Sequence, residues 1–393
     1  MNFKKKAEEY SDYIIEQRRF FHRCPELANH EVKTTKSLKE QLEQMGIPVT
    51  TFPDYYGLVG VIKGGKPGKK VMLRADIDAL AVEEKTGLPF SSANSGKMHA
   101  CGHDCHMAML LGAAKLLADV RDELQGEVHL LFQSAEETAH GAPYYVEKGC
   151  LDDISAVFGM HIWNTLESPF LNVESGPRMA SCDRFKITVE GKSAHGSAPH
   201  MANDALVASA SIVMNLQTYV SRRNNPLNSL VVSVCSIHGG QGFNIIANHI
   251  EMEGTVRTYS KELQKRLPDE LLKIIRGTAE ALGCTADLEY LFLTTPIVND
   301  HEDLNRIARD AAVKLYGEEA LAPMERLMGA EDFSYFMDKV PGFYGFLGSR
   351  NEALGKIYPN HNDKYDVDES ALQRGSAFYA QCAADFLEES AGK

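Results

Sequence analysis

The sequence predicts an α/β protein, a mostly parallel sheet interrupted by an inserted α+β domain. Three observations carry this. First, apolar strands at 71–76 and 156–161 end in Asp76 and His161, and one at 127–133 runs into Ser134-Ala135-Glu136-Glu137, with helical segments between them. Such strands build an open sheet whose functional residues gather along one edge. Second, near residue 180 the pattern changes to half-buried alternation, Arg184-Phe185-Lys186-Ile187-Thr188-Val189-Glu190-Gly191. From there the order runs strand, helix, strand, strand, helix, strand, which suggests a ferredoxin-like sandwich. Third, helix and apolar strand alternate again after about residue 300. The expected division is one domain from 1–178 and 296–393, with 179–295 inserted.

Composition narrows the function classes. The 393 residues suffice for about two domains with their own cores. A net charge of −13 disfavours a nucleic-acid backbone or an anionic membrane surface as partner. Met1-Asn2-Phe3-Lys4-Lys5-Lys6-Ala7-Glu8-Glu9 has no apolar stretch of the kind a signal peptide needs. No apolar run approaches the length of a membrane span. The eight cysteines are scattered without a disulfide framework, so reduced thiols in a cytoplasm are the simplest expectation.

Taken in order, residues 4–45 read as helical, broken at Cys24-Pro25, since Pro25 begins a new turn rather than sitting in a helix interior. Residues 49–52 and 58–63 read as short strands, and Gly64-Gly65-Lys66-Pro67-Gly68 as a turn. In the inserted region a helix is expected over about 203–222, strands over 229–238 and 250–258, a helix over about 261–282 and a strand over 285–293. A helix over about 301–316, an apolar strand at 342–347 and a last helix from 369 to about 389 follow.

The chemistry concentrates in Met98-His99-Ala100-Cys101-Gly102-His103-Asp104-Cys105-His106. Nine residues hold three histidines, two cysteines and a carboxylate, all donors for a borderline-soft divalent metal. Gly102 lets the chain turn tightly between Cys101 and His103. An apolar helical run follows, so Cys105 reads more simply as a core residue. Glu136 and Glu137 close an apolar strand, where two acids have no packing role. One can bind metal while its neighbour takes a proton from water. His161 at a third strand end fits as a further donor. His361, in a polar loop, would by itself be an ordinary surface histidine, and Asp76 a strand-end acid.

The segments 73–80, 98–104, 136–137, 159–161, 191–200, 239–244, 254–258 and 329–333, with His361, follow one another over nearly the whole chain. Together they resemble the zinc aminoacylase–carboxypeptidase family. The similarity is to the branch of hippurate hydrolases, N-acyl-amino-acid amidohydrolases and indoleacetyl-amino-acid hydrolases. Met-His-Ala-Cys-Gly-His-Asp is specific to that branch; related peptidases carry Asp where this chain has Cys101. The resemblance implies metal ligands Cys101, His103, Glu137, His161 and His361, two divalent ions (zinc, manganese, cobalt or nickel), and Cys101 as the ligand they share. It implies Glu136 as general base and then acid, with Asp76 orienting a ligand imidazole. It further implies that the insertion is a lid and dimerisation domain, giving a homodimer or a dimer of dimers. There His195 would reach the scissile carbonyl oxygen, in its own or a partner's site, while Asn244 and Arg257 hold a substrate carboxylate. The implied activity is hydrolysis of small N-acyl amino acids, with a dipeptidase or carboxypeptidase on the same site as the alternative. A non-catalytic metal binder would have no use for Glu136, and a thiol-redox role for Cys101 and Cys105 fits their spacing poorly. Ser134 departs from the branch, which often has Pro there; Ala205 and Ala247-Asn248-His249 depart too. These bear on loop shape and substrate range.

Overall fold

The computed structural model describes residues 1–391. In chain order, helices α1 (Phe3–Glu9), α2 (Ser11–Arg23) and α3 (Val32–Gln44) precede strands β1 (Val49–Thr51), β2 (Leu58–Lys63) and β3 (Lys66–Asp76). Helix α4 (His103–Asp119), strand β4 (Gln125–Gln133), helix α5 (Gly141–Glu147) and strands β5 (Ala156–Glu167), β6 (Leu171–Asn172) and β7 (Gly176–Met179) follow. Next come β8 (Cys182–Glu190), α6 (Ala205–Thr218), β9 (Leu230–Gly239), β10 (His249–Thr258), α7 (Lys261–Ala281), β11 (Thr285–Thr294) and β12 (Ile297–Asn299). Helices α8 (Glu302–Tyr316) and α9 (Ser334–Lys339), strand β13 (Gly342–Arg350) and helix α10 (Leu372–Ala391) complete the chain.

The chain forms two compact units, Met1–Gly176 with Val298–Glu325 and Asp332–Lys393, and Pro177–Ile297 with Arg326–Glu331. The short segment Arg326–Glu331 thus groups with the second unit, apart from the flanking sequence with which it was expected. In the first unit a seven-stranded sheet has the order β1-β2-β4-β3-β5-β13-β6. Its four central strands, β4, β3, β5 and β13, run parallel, with antiparallel partners on both sides. Val71–Asp76 is buried throughout, as a strand covered on both faces requires. Helix α4 is apolar on nearly every side and almost wholly buried, the pattern of a helix inside a core. A Cβ on Gly112 would collide with Ser376 Oγ and Ile14, so α4 meets its neighbours across a bare backbone. Helix α10 closes this core: the Tyr379 hydroxyl donates to the Arg74 carbonyl at 2.8 Å.

Two local expectations fail. Strand β5 does not end at His161 but runs on to Glu167, so His161 lies inside it, in register with Phe346 of β13. The turn over 64–68 is shorter than read, because β3 already begins at Lys66. Lys66 pairs with Gln125, and the register shifts before Lys70 pairs with Glu127. Pro67 sits inside that irregularity, where no ladder N–H is needed.

The second unit has a four-stranded antiparallel sheet of order β11-β8-β10-β9, backed by α6 and α7. This is the expected sandwich. Asp204 caps α6 by accepting from Leu206 and Val207, and Ser260 caps α7 through Leu263. Leu263, Leu267, Leu271, Ile275 and Ala279, four residues apart along α7, form its buried stripe.

Arg18 of α2 ties distant parts of the first unit together. Its fully buried guanidinium bonds Asp104 in the first turn of α4 at 3.0 Å, Asp366 at 2.8 Å and Glu369 at 3.0 Å. Asp104 adjoins His103, and Asp366 lies in the segment that follows His361. Replacing Arg18 by Met leaves these carboxylates facing one another without their shared cation. We expect Arg18→Met to lower unfolding free energy in urea by about 3–5 kcal/mol. A loss below about 1 kcal/mol, the range of an exposed pair, would contradict the arrangement.

Candidate metal centre

The donors gather where the parallel strands end. Strand β3 stops at Asp76 and β4 at Gln133, and β5 carries His161. Gly102 takes φ 97° at the head of α4, a left-handed conformation that Gly adopts freely. A Cβ there would strike Ile162 and the Tyr365 hydroxyl. Cys101 and His103 thereby flank a hinge with no room for a side chain. His361 also has positive φ, 68°, unusual for a residue with a Cβ. Its N–H donates to the Ala100 carbonyl at 2.7 Å, and Asn360 Nδ2 donates to the Cys101 carbonyl at 2.8 Å. The His361 loop is therefore stitched onto the Cys101 loop.

Side chains from five separate positions converge. Cys101 Sγ lies 3.4 Å from His161 Nε2 and 3.3 Å from His361 Nε2. Glu137 Oε1 lies 3.5 Å from His361 Nε2 and 3.9 Å from His103 Nε2. Two of the resulting triads are Cys101–His103–His161 and Cys101–Glu137–His361, each with donor atoms within 4.8 Å of one another, a limit that Asp76–His103–His106, His103–Glu136–Glu137 and Glu136–Glu331–Asp332 also meet. The Cys101 sulfur belongs to both of the first two.

These residues fit divalent metal on three counts. His103 donates from Nδ1 to the Asp78 carbonyl at 2.9 Å, and His161 from Nδ1 to the Ile162 carbonyl at 2.6 Å. Each therefore offers a lone pair at Nε2, as metal-bound imidazoles do. His103 Nε2 and Glu137 Oε1 are buried and have no hydrogen-bond partner. The pocket is also crowded with negative charge. Burial opposes protonation of His103, yet Asp76, Asp78 and Glu137 raise its pKa to about 10. Burial pushes Glu137 up to about 7, and burial with Glu137, Glu136 and Asp76 pushes the Cys101 thiol well up. A bound cation relieves that crowding and takes the place of protons.

Asp78 was not singled out in the sequence, and it organises much of the site. Its carboxylate accepts from the Glu136 N–H at 3.1 Å and the Glu137 N–H at 3.0 Å, capping the turn that bears both acids. Its carbonyl orients His103. Asp76 instead accepts from His106 Nδ1 at 2.5 Å and from Arg74 at 2.6 Å. His106 Nε2 in turn accepts the Ile162 N–H at 2.8 Å. Both His106 nitrogens are thus committed, and the imidazole that Asp76 grips braces the strand beside His161. Burial, then His103, His106 and Arg74, act on Asp76, and the cations hold its carboxyl well below the usual range. Cys105 is a buried core thiol. The Glu136 carboxylate, half-buried, receives the Asp332 N–H at 3.4 Å.

Three further expected residues lie in the second unit. His195 is exposed, and its Nδ1 bonds Ser197 Oγ at 2.8 Å. It pairs with Ile245, and the Gly196 N–H donates to the Asn244 carbonyl at 2.7 Å, so His195 and Asn244 share one loop cluster. Arg257 is half-buried on β10, in register with Val231 of β9.

Comparison with known proteins extends this picture. A family profile described as "Peptidase family M20/M25/M40" matches residues 72–385. The "Thermostable carboxypeptidase 2" of Saccharolobus solfataricus is 40% identical over 390 residues, covering 98% of each chain. The "N-acetylcysteine deacetylase" of Bacillus subtilis is 38% identical over 376 residues, covering 95% of this chain and 97% of its own. The crystal structure of the YXEP protein of Bacillus subtilis, described as a dinuclear metal binding peptidase, superposes with TM-score 0.87. It is 35% identical and covers 97% of this chain and 99% of its own.

Because Asp78 holds both the Glu136–Glu137 turn and His103, Asp78→Ala is expected to weaken metal affinity by about 10–100-fold. Competition with a chromogenic chelator measures this. Unchanged affinity would show that Asp78 does not organise the donors.

Proposed function

The chain belongs to peptidase family M20/M25/M40 as a metal-dependent amidohydrolase, and on that premise we propose that it hydrolyses the amide bond of N-acyl amino acids. The observation that carries the reading is a second carboxylate, Glu136, next in sequence to Glu137: it stands outside the two triads that share Cys101, yet its oxygen comes within 4.8 Å of the His103 and Glu137 donor atoms. A protein that only binds metal has no use for it.

Cys101, His103, Glu137, His161 and His361 would hold two divalent ions, zinc, manganese, cobalt or nickel. The Cys101 thiolate, which belongs to both triads and has lone pairs for two ions, would be the ligand they share. Such ions supply Lewis acidity toward the amide carbonyl and toward water. Glu136 takes one proton from water as its oxygen attacks the carbonyl carbon. Glu136 holds that proton and passes it to the amide nitrogen as the C–N bond breaks. The products are a carboxylic acid and a free amino acid. His195 donates to the oxygen that becomes negative, in its own or a partner subunit's site. Arg257 and Asn244 hold the substrate's free carboxylate, Arg257 through its planar fork. The unit containing 179–295 serves as lid and dimer contact for a cytoplasmic homodimer or dimer of dimers, and the remaining unit carries the chemistry. Among the described residues no helix is long and apolar enough to cross a membrane.

A second reading, a carboxypeptidase or dipeptidase on the same site, is favoured by the 40% identity to the thermostable carboxypeptidase. The two differ in whether the cleaved acyl group must carry a free α-amine. The test offers acetyl- and benzoyl-amino acids beside dipeptides to chelated protein reloaded with each metal, with Glu136→Gln as control. We expect turnover of the N-acyl amino acids, and a fall of about 10²–10⁴ in Glu136→Gln at unchanged metal content. Cleavage of dipeptides alone would establish the second reading, and near-normal turnover by Glu136→Gln would remove the base.

A further inference from the structure

Glu31 lies far from the site in sequence, at the N-cap position of α3, yet its side chain makes no capping bond there. Glu26 supplies that bond instead: its Oε2 accepts from the Thr34 N–H at 2.8 Å and the Thr34 hydroxyl at 2.9 Å. Glu31 is left free to reach elsewhere. It is fully buried, and its Oε1 accepts from Ser134 Oγ at 2.6 Å and from the Ala135 N–H at 3.0 Å. Its Oε2 is buried with no hydrogen-bond partner. A carboxylate taken wholly out of water, with both of these bonds on one turn, is costly unless the turn needs it.

That turn bears Glu136 and Glu137. Ala135 stands at φ 61° and Ala139 at φ 56°, both in the left-handed region that residues with a Cβ avoid. Such strain persists only where the surroundings hold it. Four successive N–H groups here are each claimed by a side chain: Ser134 by the Tyr145 hydroxyl, Ala135 by Glu31, and Glu136 and Glu137 by Asp78. Glu31 grips the strained residue itself, and the Ser134 hydroxyl gives it a second hold.

We infer that Glu31, through Ser134 and Ala135, is a positioning residue that sets where the Glu136 and Glu137 carboxylates point. The inference rests on the roles proposed above for those two acids. Burial pushes the Glu31 carboxyl up to about 7, so near pH 7 it is already partly neutral and an amide removes only part of a charge. Gln also keeps the accepting oxygen that Ser134 and Ala135 use, whereas Ala removes it.

The test compares wild type, Glu31→Ala, Glu31→Gln and Ser134→Ala. Cobalt(II) is titrated into chelated protein, following affinity and the visible absorption bands, and kcat and KM are measured on the best N-acyl amino acid. Glu31→Ala is expected to lose about 10–100-fold in cobalt affinity or in kcat with KM little changed, and to shift the cobalt bands. Glu31→Gln should restore both to within about threefold of wild type, and Ser134→Ala should fall between. The cobalt titration needs no substrate, so it decides the role of Glu31 even where wild type cleaves no N-acyl amino acid and the activity reading fails. Wild-type cobalt affinity, bands and kcat in both Glu31→Ala and Ser134→Ala would overturn the inference. So would equal losses in Glu31→Ala and Glu31→Gln that merely follow a lowered melting temperature. Should Glu31→Ala not fold, Glu31→Gln and Ser134→Ala still separate the outcomes: wild-type cobalt affinity, bands and kcat in Ser134→Ala overturn the inference, and a shifted spectrum or lowered kcat there with wild-type values in Glu31→Gln supports it.

Discussion

One sulfur atom sets the terms for the rest of the first unit. Cys101 Sγ touches His161 and His361 directly and belongs to two triads of donors. A buried thiol amid Glu136, Glu137 and Asp76 is held far from ionising by burial and by those charges. A thiolate at that point is stable only with positive charge beside it. The donor geometry is therefore a statement about charge as much as about distance.

Holding such a centre requires backbone that would not choose its conformation alone. Gly102, Ala135 and His361 all stand at positive φ, and each is within two residues of a donor or is one. Gly102 bears this without cost, since it has no Cβ. Ala135 and His361 bear it because neighbouring groups take their N–H groups: Glu31 in one case, the Ala100 carbonyl in the other. Behind them, Arg18 joins the first turn of α4 to the segment after His361, so the two loops that meet at Cys101 are also tied from within.

Much of this was legible in the sequence because the donors sit where packing gives them no reason to be. Two glutamates after an apolar strand, a histidine closing the apolar run of another and a Cys-Gly-His turn before an apolar helix all break the hydrophobic pattern. Asp76 and Asp78 could not be separated in that way. Both follow the apolar part of β3, and only the chain's departure from the sheet after Asp76 decides that Asp78 meets the Glu136–Glu137 turn. Glu31 was invisible for a different reason. An acid at a helix start is ordinary, and its diversion depends on Glu26 having taken the capping role. The extension of β3 over Lys66-Pro67-Gly68 was hidden because Gly and Pro signal a turn equally well when they mark an irregular strand start. Lid and dimer roles came from resemblance alone, since His195, Asn244 and Arg257 carry no local pattern that sets them apart from surface residues.

The claim on which everything else depends is that one cysteine sulfur is shared by two metal ions. X-ray absorption at the metal edge of zinc-loaded protein tests it most directly. The account predicts sulfur in the first shell at about 2.3 Å among nitrogen and oxygen ligands, with metal–metal scattering at about 3.5–4 Å. A first shell of nitrogen and oxygen alone, with no second metal, would contradict it.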